Sequence, residues 1–429
     1  MKRLHLVLFL LALYSPLPAY ALSLEEGLKV ISETGRDVKI AQIDEAVARD
    51  AVSLARSPWL PTVDLYGRET WLRYQPEAKF GDSEVPTSQD QYATYGVKAT
   101  QLLYDFGKTS SSINAARYGL TAKEIETWRT KNRSALDFIL AYLDLLETEK
   151  LLKVSTDEVA RYEGHKKDTA ARFSAGVITK NEVLQADVTL ADSRQRFLTV
   201  ENLRSLRASK VNSLLMKPLN EPVQTQEVSA NPASGISLED AWNIAGADSP
   251  DIRDLDARIN AKEESVKATR AEFMPNVYLS GGYEYMENRY QVHQDNWSLI
   301  AGVNINLFSG NASSSKVRIG KNELFGLKLA REKLLDGLRL EVKAAYLELQ
   351  SSLQKIEVTK SAVEQAEENL RLLKLRYKEG VGTATEVLDA VMLLTAAESN
   401  SWKALYGFKR AEAGLLHSMG RDLASSYGK

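Results

Sequence analysis

The sequence contains no cysteine. A disulfide framework, a thiolate metal site and a thiol nucleophile are therefore excluded, and no cysteine follows the N-terminal segment to carry a lipid. Histidine is scarce as well. Of His5, His165, His293 and His417, no two have the spacing of a metal-binding pair, and those beyond the N-terminal segment read as surface histidines. No G-x-S-x-G, P-loop or H-E-x-x-H segment occurs. Neither a metal or other cofactor nor an enzymatic activity is expected. An excess of charge of one sign is missing too: 55 Lys and Arg stand against 57 Asp and Glu, a formal net charge of -2. Nucleic acid needs a basic surface, so it is not expected as a partner.

Long apolar runs are absent beyond the first 21 residues. No later stretch reaches 18 apolar residues, so no membrane-spanning helix is expected there, and β-barrel strands remain the only route into a bilayer. The first 21 residues have their own pattern. Lys2 and Arg3 precede a short apolar core over 4–13, and Ala19-Tyr-Ala21 is a small-x-small site. This reads as a cleaved secretory signal peptide over 1–21, a retained anchor being the alternative. Loss of Lys2 and Arg3 would take the net charge from -2 to -4.

Proline is missing where it matters most. There are 11, yet residues 87–217 and 276–429 contain none. Proline inside a helix costs about 3 kcal/mol, so these two stretches can hold very long helices. Both are rich in Ala, Leu, Glu, Lys, Arg and Gln, which favour helix.

What is present is a duplication. Ser23-Leu-Glu-Glu-Gly-Leu28 returns 214 residues later as Ser237-Leu-Glu-Asp-Ala-Trp242, and Pro61-Thr-Val-Asp-Leu65 returns at the same offset as Pro275-Asn-Val-Tyr-Leu279. Further on the offset is 204. Ala141-Tyr-Leu-Asp-Leu145 returns as Ala345-Tyr-Leu-Glu-Leu349, and Arg172-x3-Gly-Val-x-Thr-x2-Glu-Val-Leu-x-Ala186 returns as Arg376-x3-Gly-Val-x-Thr-x2-Glu-Val-Leu-x-Ala390. A period this long marks a duplicated half rather than a solenoid. The expected repeats are 22–217 and 237–429. The linker over 218–236 is marked by Pro218, Pro222 and Pro232.

Each repeat predicts the same elements. A short helix is expected over about 37–56 and again over about 251–272. Long helices are expected over about 108–175 and 311–379. In the second, Val342, Tyr346, Leu349, Leu353, Ile356 and Val363 keep heptad spacing. Phe138, Tyr142, Leu145, Leu152 and Val159 match them in the first, where Glu149 takes the place of Leu353. This reads as a coiled-coil seam, the alternative being the core stripe of a helical bundle. A helix over 108–175 would rise roughly 100 Å, more than a compact bundle needs. Return helices are expected over about 180–216 and 383–419. Gly176 and Gly380 suit left-handed helix ends. Thr179 with Glu182, and Thr383 with Glu386, form capping-box patterns.

Between the short and long helices the period changes to two. Trp297, Leu299, Ala301, Val303, Ile305 and Leu307 alternate with Ser298, Ile300, Gly302, Asn304 and Asn306. Val277, Leu279, Gly281, Tyr283 and Tyr285 alternate in the same way, as do Ala93, Tyr95, Val97 and Ala99. The stretch 62–74 is less regular, since Glu69 and Arg73 share the face of Val63 and Leu65. Strand pairs are therefore expected at about 62–104 and 276–307, of transmembrane length. Tyr74, Tyr92, Tyr283, Tyr285 and Trp297 lie near the loop ends, as in an aromatic girdle. The change of offset falls on the strand-joining loops, 75–91 and 287–295, where length change is tolerated. Four strands cannot close a barrel, and open apolar sheet edges are not tolerated in lipid. The chain must then oligomerise, unless the strands decorate a soluble helical rod.

With these repeat offsets, the proline-led strand pairs, and the tips Arg172-Phe-Ser-Ala-Gly-Val-Ile-Thr179 and Arg376-Tyr-Lys-Glu-Gly-Val-Gly-Thr383, the chain resembles the TolC family of outer-membrane efflux and secretion channels. The resemblance covers essentially everything beyond residue 21. It implies an α+β membrane protein in which coiled-coil hairpins form a periplasmic α-barrel. Four transmembrane strands per protomer would close as a 12-stranded barrel in a homotrimer. Location in the outer membrane, contact with its lipid, a periplasmic membrane-fusion adaptor and an inner-membrane pump of RND, ABC or MFS type are implied too. On this reading the adaptor docks at the tips, on Gly176, Val177, Ile178 and Thr179 and on Gly380, Val381, Gly382 and Thr383.

Glu386 and Asp389 are three residues apart and share a helix face. In a trimer they would form two carboxylate rings of the kind that select cations, and family members carry acidic rings near this place. The alternative is a solvated face with Glu386 as a cap. The first repeat has Glu182 but Gln185, so the acidic pair is not duplicated. Some members latch the tip with an arginine just after the Gly-Thr of this turn. Here that residue is Ala384, with Arg376 and Tyr377 one turn earlier, so the latch is expected to be weaker or built differently. A soluble periplasmic coiled-coil adaptor remains the rival reading. The cargo, whether drug, metal or protein, is not legible.

Overall fold

The structure, a computed structural model, describes residues 21–228, 233 and 235–428. The expected signal segment, apart from Ala21, and Pro232 of the linker lie outside the described residues. In chain order the elements are α1 (Leu24–Thr34), α2 (Arg36–Arg56), β1 (Thr62–Trp71), β2 (Glu77–Phe80), β3 (Ser83–Pro86), β4 (Gln91–Tyr104), α3 (Lys108–Ser174) and α4 (Lys180–Leu214). They continue as α5 (Leu238–Asp248), α6 (Pro250–Ala271), β5 (Asn276–Met286), β6 (Asp295–Asn304), α7 (Ala312–Lys378), α8 (Ala384–Ser418) and α9 (Leu423–Tyr427). The long helices α3 and α7 are each 67 residues, and the return helices α4 and α8 are each 35. No helix among the described residues is long and apolar enough to cross a membrane.

Three helices and a hairpin go beyond the sequence expectation. α1 begins at a reciprocal capping box: the Ser23 hydroxyl accepts from the Glu26 N–H (3.1 Å) and the Glu26 carboxylate accepts from the Ser23 N–H (3.2 Å). α5 begins at Ser237, whose hydroxyl accepts from the Asp240 N–H at 3.1 Å. These S-x-x-E and S-x-x-D signals open both repeats. α9 is capped by Asp422. The hairpin β2–β3 lies inside the first strand-joining loop. β1 and β6 stop at Trp71 and Asn304, short of Tyr74 and Leu307, so Ile305 and Leu307 lie exposed beyond the strand end.

The described chain forms two compact units, and each draws on both repeats. One comprises residues up to 41, 127–250 and 335 onward. Its largest buried side chains include Phe138, Tyr142, Leu143 and Leu145 on α3, Tyr406 and Leu415 on α8, and Leu28 on α1. Burial of each such side chain contributes about 1.5–3 kcal/mol. α1 packs so closely that a Cβ on Gly27 would lie 2.0 Å from the Phe138 ring. The Tyr142 hydroxyl sits between the carbonyls of Leu22 and Gln226, at 2.7 and 2.8 Å, and burial pushes it up to about 12. Leu22 pairs with Thr225 in a parallel bridge at this point. A second cluster gathers Tyr162 (α3), Leu190 (α4), Leu370 and Tyr377 (α7), and Val387, Leu388 and Val391 (α8).

The heptad stripe is buried to different degrees in the two repeats. Phe138, Tyr142 and Leu145 are fully enclosed, whereas in the second repeat Val342 is buried and Leu353 is exposed. Glu149, the counterpart of Leu353, binds Arg204 (3.0 Å) and accepts from the Thr225 hydroxyl (2.6 Å). α7 therefore carries an unpartnered apolar stripe within one chain: Leu329, Leu340, Leu347, Val358 and Leu372 share one helical face and are exposed.

The other unit comprises 42–126 and 251–334. It holds an antiparallel sheet in the order β1-β4-β5-β6. Ion pairs join α6 to the start of α7, among them Arg331–Asp256 (2.6 Å) and Lys328–Glu263 (2.8 Å). On α2, Ile43, Val47 and Leu54 lie exposed at helical spacing.

Candidate functional site

Strand register sorts the sheet into two chemically distinct faces. Leu65, Val97, Tyr283 and Trp297 form one row across all four strands, and Val63, Ala99, Gly281 and Leu299 form another on the same face. Leu65 is 83% exposed and Trp297 75%. Rows on the opposite face are polar: Asp64, Lys98, Gly282 and Ser298, then Tyr66, Gly96, Glu284 and Asn296. Tyr66 lies across Gly96 and donates to Glu284 two strands away at 2.7 Å; a Cβ on Gly96 would meet that hydroxyl at 2.5 Å. An apolar, aromatic-bearing face opposed to a hydrogen-bonded polar face is what a strand between lipid and an aqueous lumen requires. Among the described residues β1 and β6 have no further strand partner.

The sequence irregularities at Glu69 and Arg73 fall at the strand end. Gln91 donates to Glu69 at 3.1 Å, and Arg73 lies past β1, with its guanidinium 5.1 Å from the Tyr74 ring centroid. The joining loops are tied together by Gln75–Tyr290 (3.0 Å), Asn288–Thr87 (3.3 Å) and the Arg289 N–H to Gln89 (3.1 Å).

The two hairpin tips are built alike. In the first, the Gly176 N–H bonds the Phe173 carbonyl (2.9 Å) and the Val177 N–H the Arg172 carbonyl (3.0 Å), with Gly176 at φ 72°. In the second, the Gly380 N–H bonds Tyr377 (3.2 Å) and the Val381 N–H bonds Arg376 (3.0 Å), with Gly380 at φ 76°. Both are Schellman ends that need glycine in the left-handed position. Each leaves a valine outside, Val177 at 64% and Val381 at 69% exposure. Ile178 is half-buried, whereas Gly382 packs onto the Arg376–Tyr377 backbone.

The caps after these turns differ, which corrects the expectation of two capping boxes. Thr383 and Glu386 form one: the Thr383 hydroxyl accepts from the Glu386 N–H (3.2 Å) and Glu386 accepts from the Thr383 N–H (2.8 Å). Thr179 makes no side-chain cap bond, because the Glu182 N–H turns to the Thr179 carbonyl instead, at 3.3 Å. Thr383→Ala is therefore expected to cost about 1 kcal/mol locally, raising amide exchange in the first turn of α8 about fivefold. Thr179→Ala is expected to leave exchange in α4 nearly unchanged. Equal effects at the two sites would contradict the assignment.

The capping role occupies Glu386. The Thr383 N–H holds its carboxyl below the ordinary carboxylate range, with Arg376 adding to the effect from 3.8 Å. Asp389 is exposed and makes no ion pair among the described residues. Ala384 is buried in the tip cluster. The contact across the hairpins comes instead from Arg172 on α3. It donates to the Lys378 carbonyl at 2.9 Å, and its guanidinium lies 4.5 Å from the Tyr377 ring centroid. His165 corrects the surface reading: it is only 5% exposed, with its ring centroid 5.5 Å from that of Tyr377. Both arginines that open the repeated tip motifs thus make tip contacts, a signal the duplication already carried.

The family model described as outer membrane efflux protein matches residues 30–215 and 242–421. The chain belongs to this outer membrane efflux protein family. Among relatives, the outer membrane efflux protein BepC of Brucella suis is 21% identical over 339 residues, 78% of this chain and 74% of that one. The alkaline protease secretion protein AprF of Pseudomonas aeruginosa is 23% identical over 412 residues, 92% and 84% of the two chains. The solved outer-membrane channel OprN superposes with a TM-score of 0.80 at 17% identity, covering 94% of this chain and 90% of that one. As an outer membrane efflux protein the chain is an export channel of the outer membrane reaching into the periplasm, and not an enzyme. Membership also sets aside the soluble-adaptor reading.

Proposed function

We propose that three copies of this chain close one 12-stranded barrel and one helical tube, and that the tip turns receive a periplasmic membrane-fusion adaptor that links the tube to an inner-membrane pump. The observation that carries this reading is a four-stranded sheet with one apolar face and, among the described residues, two unpartnered edges. Edges in lipid must be paired, and β6 of one copy meeting β1 of the next satisfies them all. The exposed stripes of α2 and α7 supply apolar surface for the same contacts between copies. The tip residues 176–179 and 380–383 present Val177 and Val381 on rigid turns, the form in which an apolar anchor suits a partner hairpin. Asp389, ringed three times, serves as the cation-selective gate, with Glu386 beside it. BepC is named for efflux and AprF for protease secretion; either kind of cargo fits this architecture, and the pump sets the choice.

Light scattering of the detergent-solubilised protein is expected to give the mass of three chains; any other stoichiometry overturns the barrel. A Val177→Glu, Val381→Glu double variant is expected to reproduce the export phenotype of a deletion strain while remaining at normal abundance in the outer membrane. Wild-type export by that variant would overturn the docking assignment.

A further inference from the structure

Beside the tip cluster, between α3 and α7, lies a cavity of about 510 Å³. Its lining is rich in cations. Arg161 is already neutralised by Glu398, with two hydrogen bonds of 2.6 and 2.9 Å. Arg172 has no carboxylate partner among the described residues: it faces the Tyr377 ring and gives one N–H to a backbone carbonyl. Lys374 and Lys378 also line the cavity and form no ion pair among the described residues. Among the described residues Asp168 is the only acidic one in the lining. Three cations without an ion pair thus share the cavity wall with one carboxylate.

A second observation is independent of charge. Tyr377, which lines the same cavity, is 7% exposed, and its hydroxyl is buried with no hydrogen-bond partner among the described residues. Buried hydroxyls are nearly always paired, because an unmade bond is costly. A missing acceptor beside three unneutralised cations describes an anion site.

We propose that this cavity binds a small multivalent oxyanion, a phosphate or polycarboxylate, that bridges α3 and α7. The planar guanidinium of Arg172 suits two oxygens of such a group, the lysines act as point charges, and a small adjustment of Tyr377 would supply a donor. The occupied site ties the first helical hairpin to the second near their tips. His165 makes the site sensitive to pH. Burial holds its pKa below the ordinary value, with Asp168 acting against it and Lys374 in the same direction. The charged and titratable groups that line the cavity with it are Arg161, Asp168 and Arg172 from α3 and Lys374, Lys378 and Tyr377 from α7, while α8 contributes the uncharged Val387. An oxyanion favours the protonated imidazole, so binding takes up a proton and tightens as pH falls through the region where histidine titrates.

The test is calorimetric titration of the full, detergent-solubilised protein with inorganic pyrophosphate and, separately, with citrate; whichever binds more tightly identifies the class. Saturable binding of one anion per chain is expected. Lys374→Gln with Lys378→Gln is expected to weaken it at least tenfold; both side chains are exposed, so folding is preserved. Tyr377→Phe is expected to weaken it several-fold. Absence of saturable binding by either probe overturns the proposal, as does equal binding by the lysine variant. Dependence of adaptor capture on the same lysines, with no binding of either probe, would assign the cavity to a partner's carboxylate and likewise overturn it.

Discussion

Asp389→Ala is expected to weaken strongly the block of the reconstituted channel by divalent cations and to raise its leak, whereas Glu386→Ala is expected to leave most of the block in place. The two carboxylates share a helix face, but only one is at liberty. Glu386 accepts the Thr383 N–H and completes the cap of α8; Asp389 is exposed with no ion pair among the described residues. In the proposed trimer, three such carboxylates around the axis would attract a divalent ion together. Their removal is expected to weaken block at least tenfold, about 1.4 kcal/mol. Single-channel recording in a planar bilayer measures both conductance and block. Undiminished block in Asp389→Ala would remove Asp389 from the gate, and loss of block in Glu386→Ala alone would reverse the order argued here.

Leu299→Arg is expected to cost about 2–4 kcal/mol of insertion and assembly, as lipid-facing cations do near the bilayer midplane. Ser298→Arg, one residue away, is expected to be tolerated. Leu299 belongs to the row Val63, Ala99, Gly281; Ser298 belongs to the row Asp64, Lys98, Gly282, which already carries charge. The yield of heat-modifiable, assembled protein in outer-membrane fractions reads the difference. Equal losses would mean that the two faces do not separate lipid from water.

Much of this geometry could be read in the residues because it rests on periodicities that neighbours along the chain enforce. Alternation at 297–303 marks a sheet face, a proline-free run permits α3, and glycine at 176 and 380 stops a helix by local sterics alone. What could not be read depends on partners distant in sequence. His165 is buried because Tyr377 comes to meet it. Thr179 and Thr383 sit in the same pattern, yet only one caps, since the choice between a hydroxyl and a carbonyl acceptor is made by the exact path of the turn. The hairpin β2–β3 carries only a short alternation, Ala78 and Phe80 against Glu77 and Lys79 around a Gly81-Asp82 turn, too brief to stand out in a polar loop; α1 is announced by its cap and by the helical stripe Leu24, Leu28 and Ile31. At the tips, the residue pattern located the turns, while the Arg172–Tyr377 contact required the fold.

The cross-cutting of repeats and units has a consequence for biogenesis. β4 can pair with β1 as soon as the first repeat has been exported, but its other edge must wait for β5, as in Tyr95 opposite Tyr285. The tip cluster likewise waits for α7 and α8. With such distant pairings folding is slow, and a half-made chain holds an open edge and bare apolar rows in water. Until its last helix has arrived, the polypeptide is therefore prone to aggregate with its neighbours. A premature stop anywhere in the second repeat is then expected to yield a degraded product rather than a half-channel.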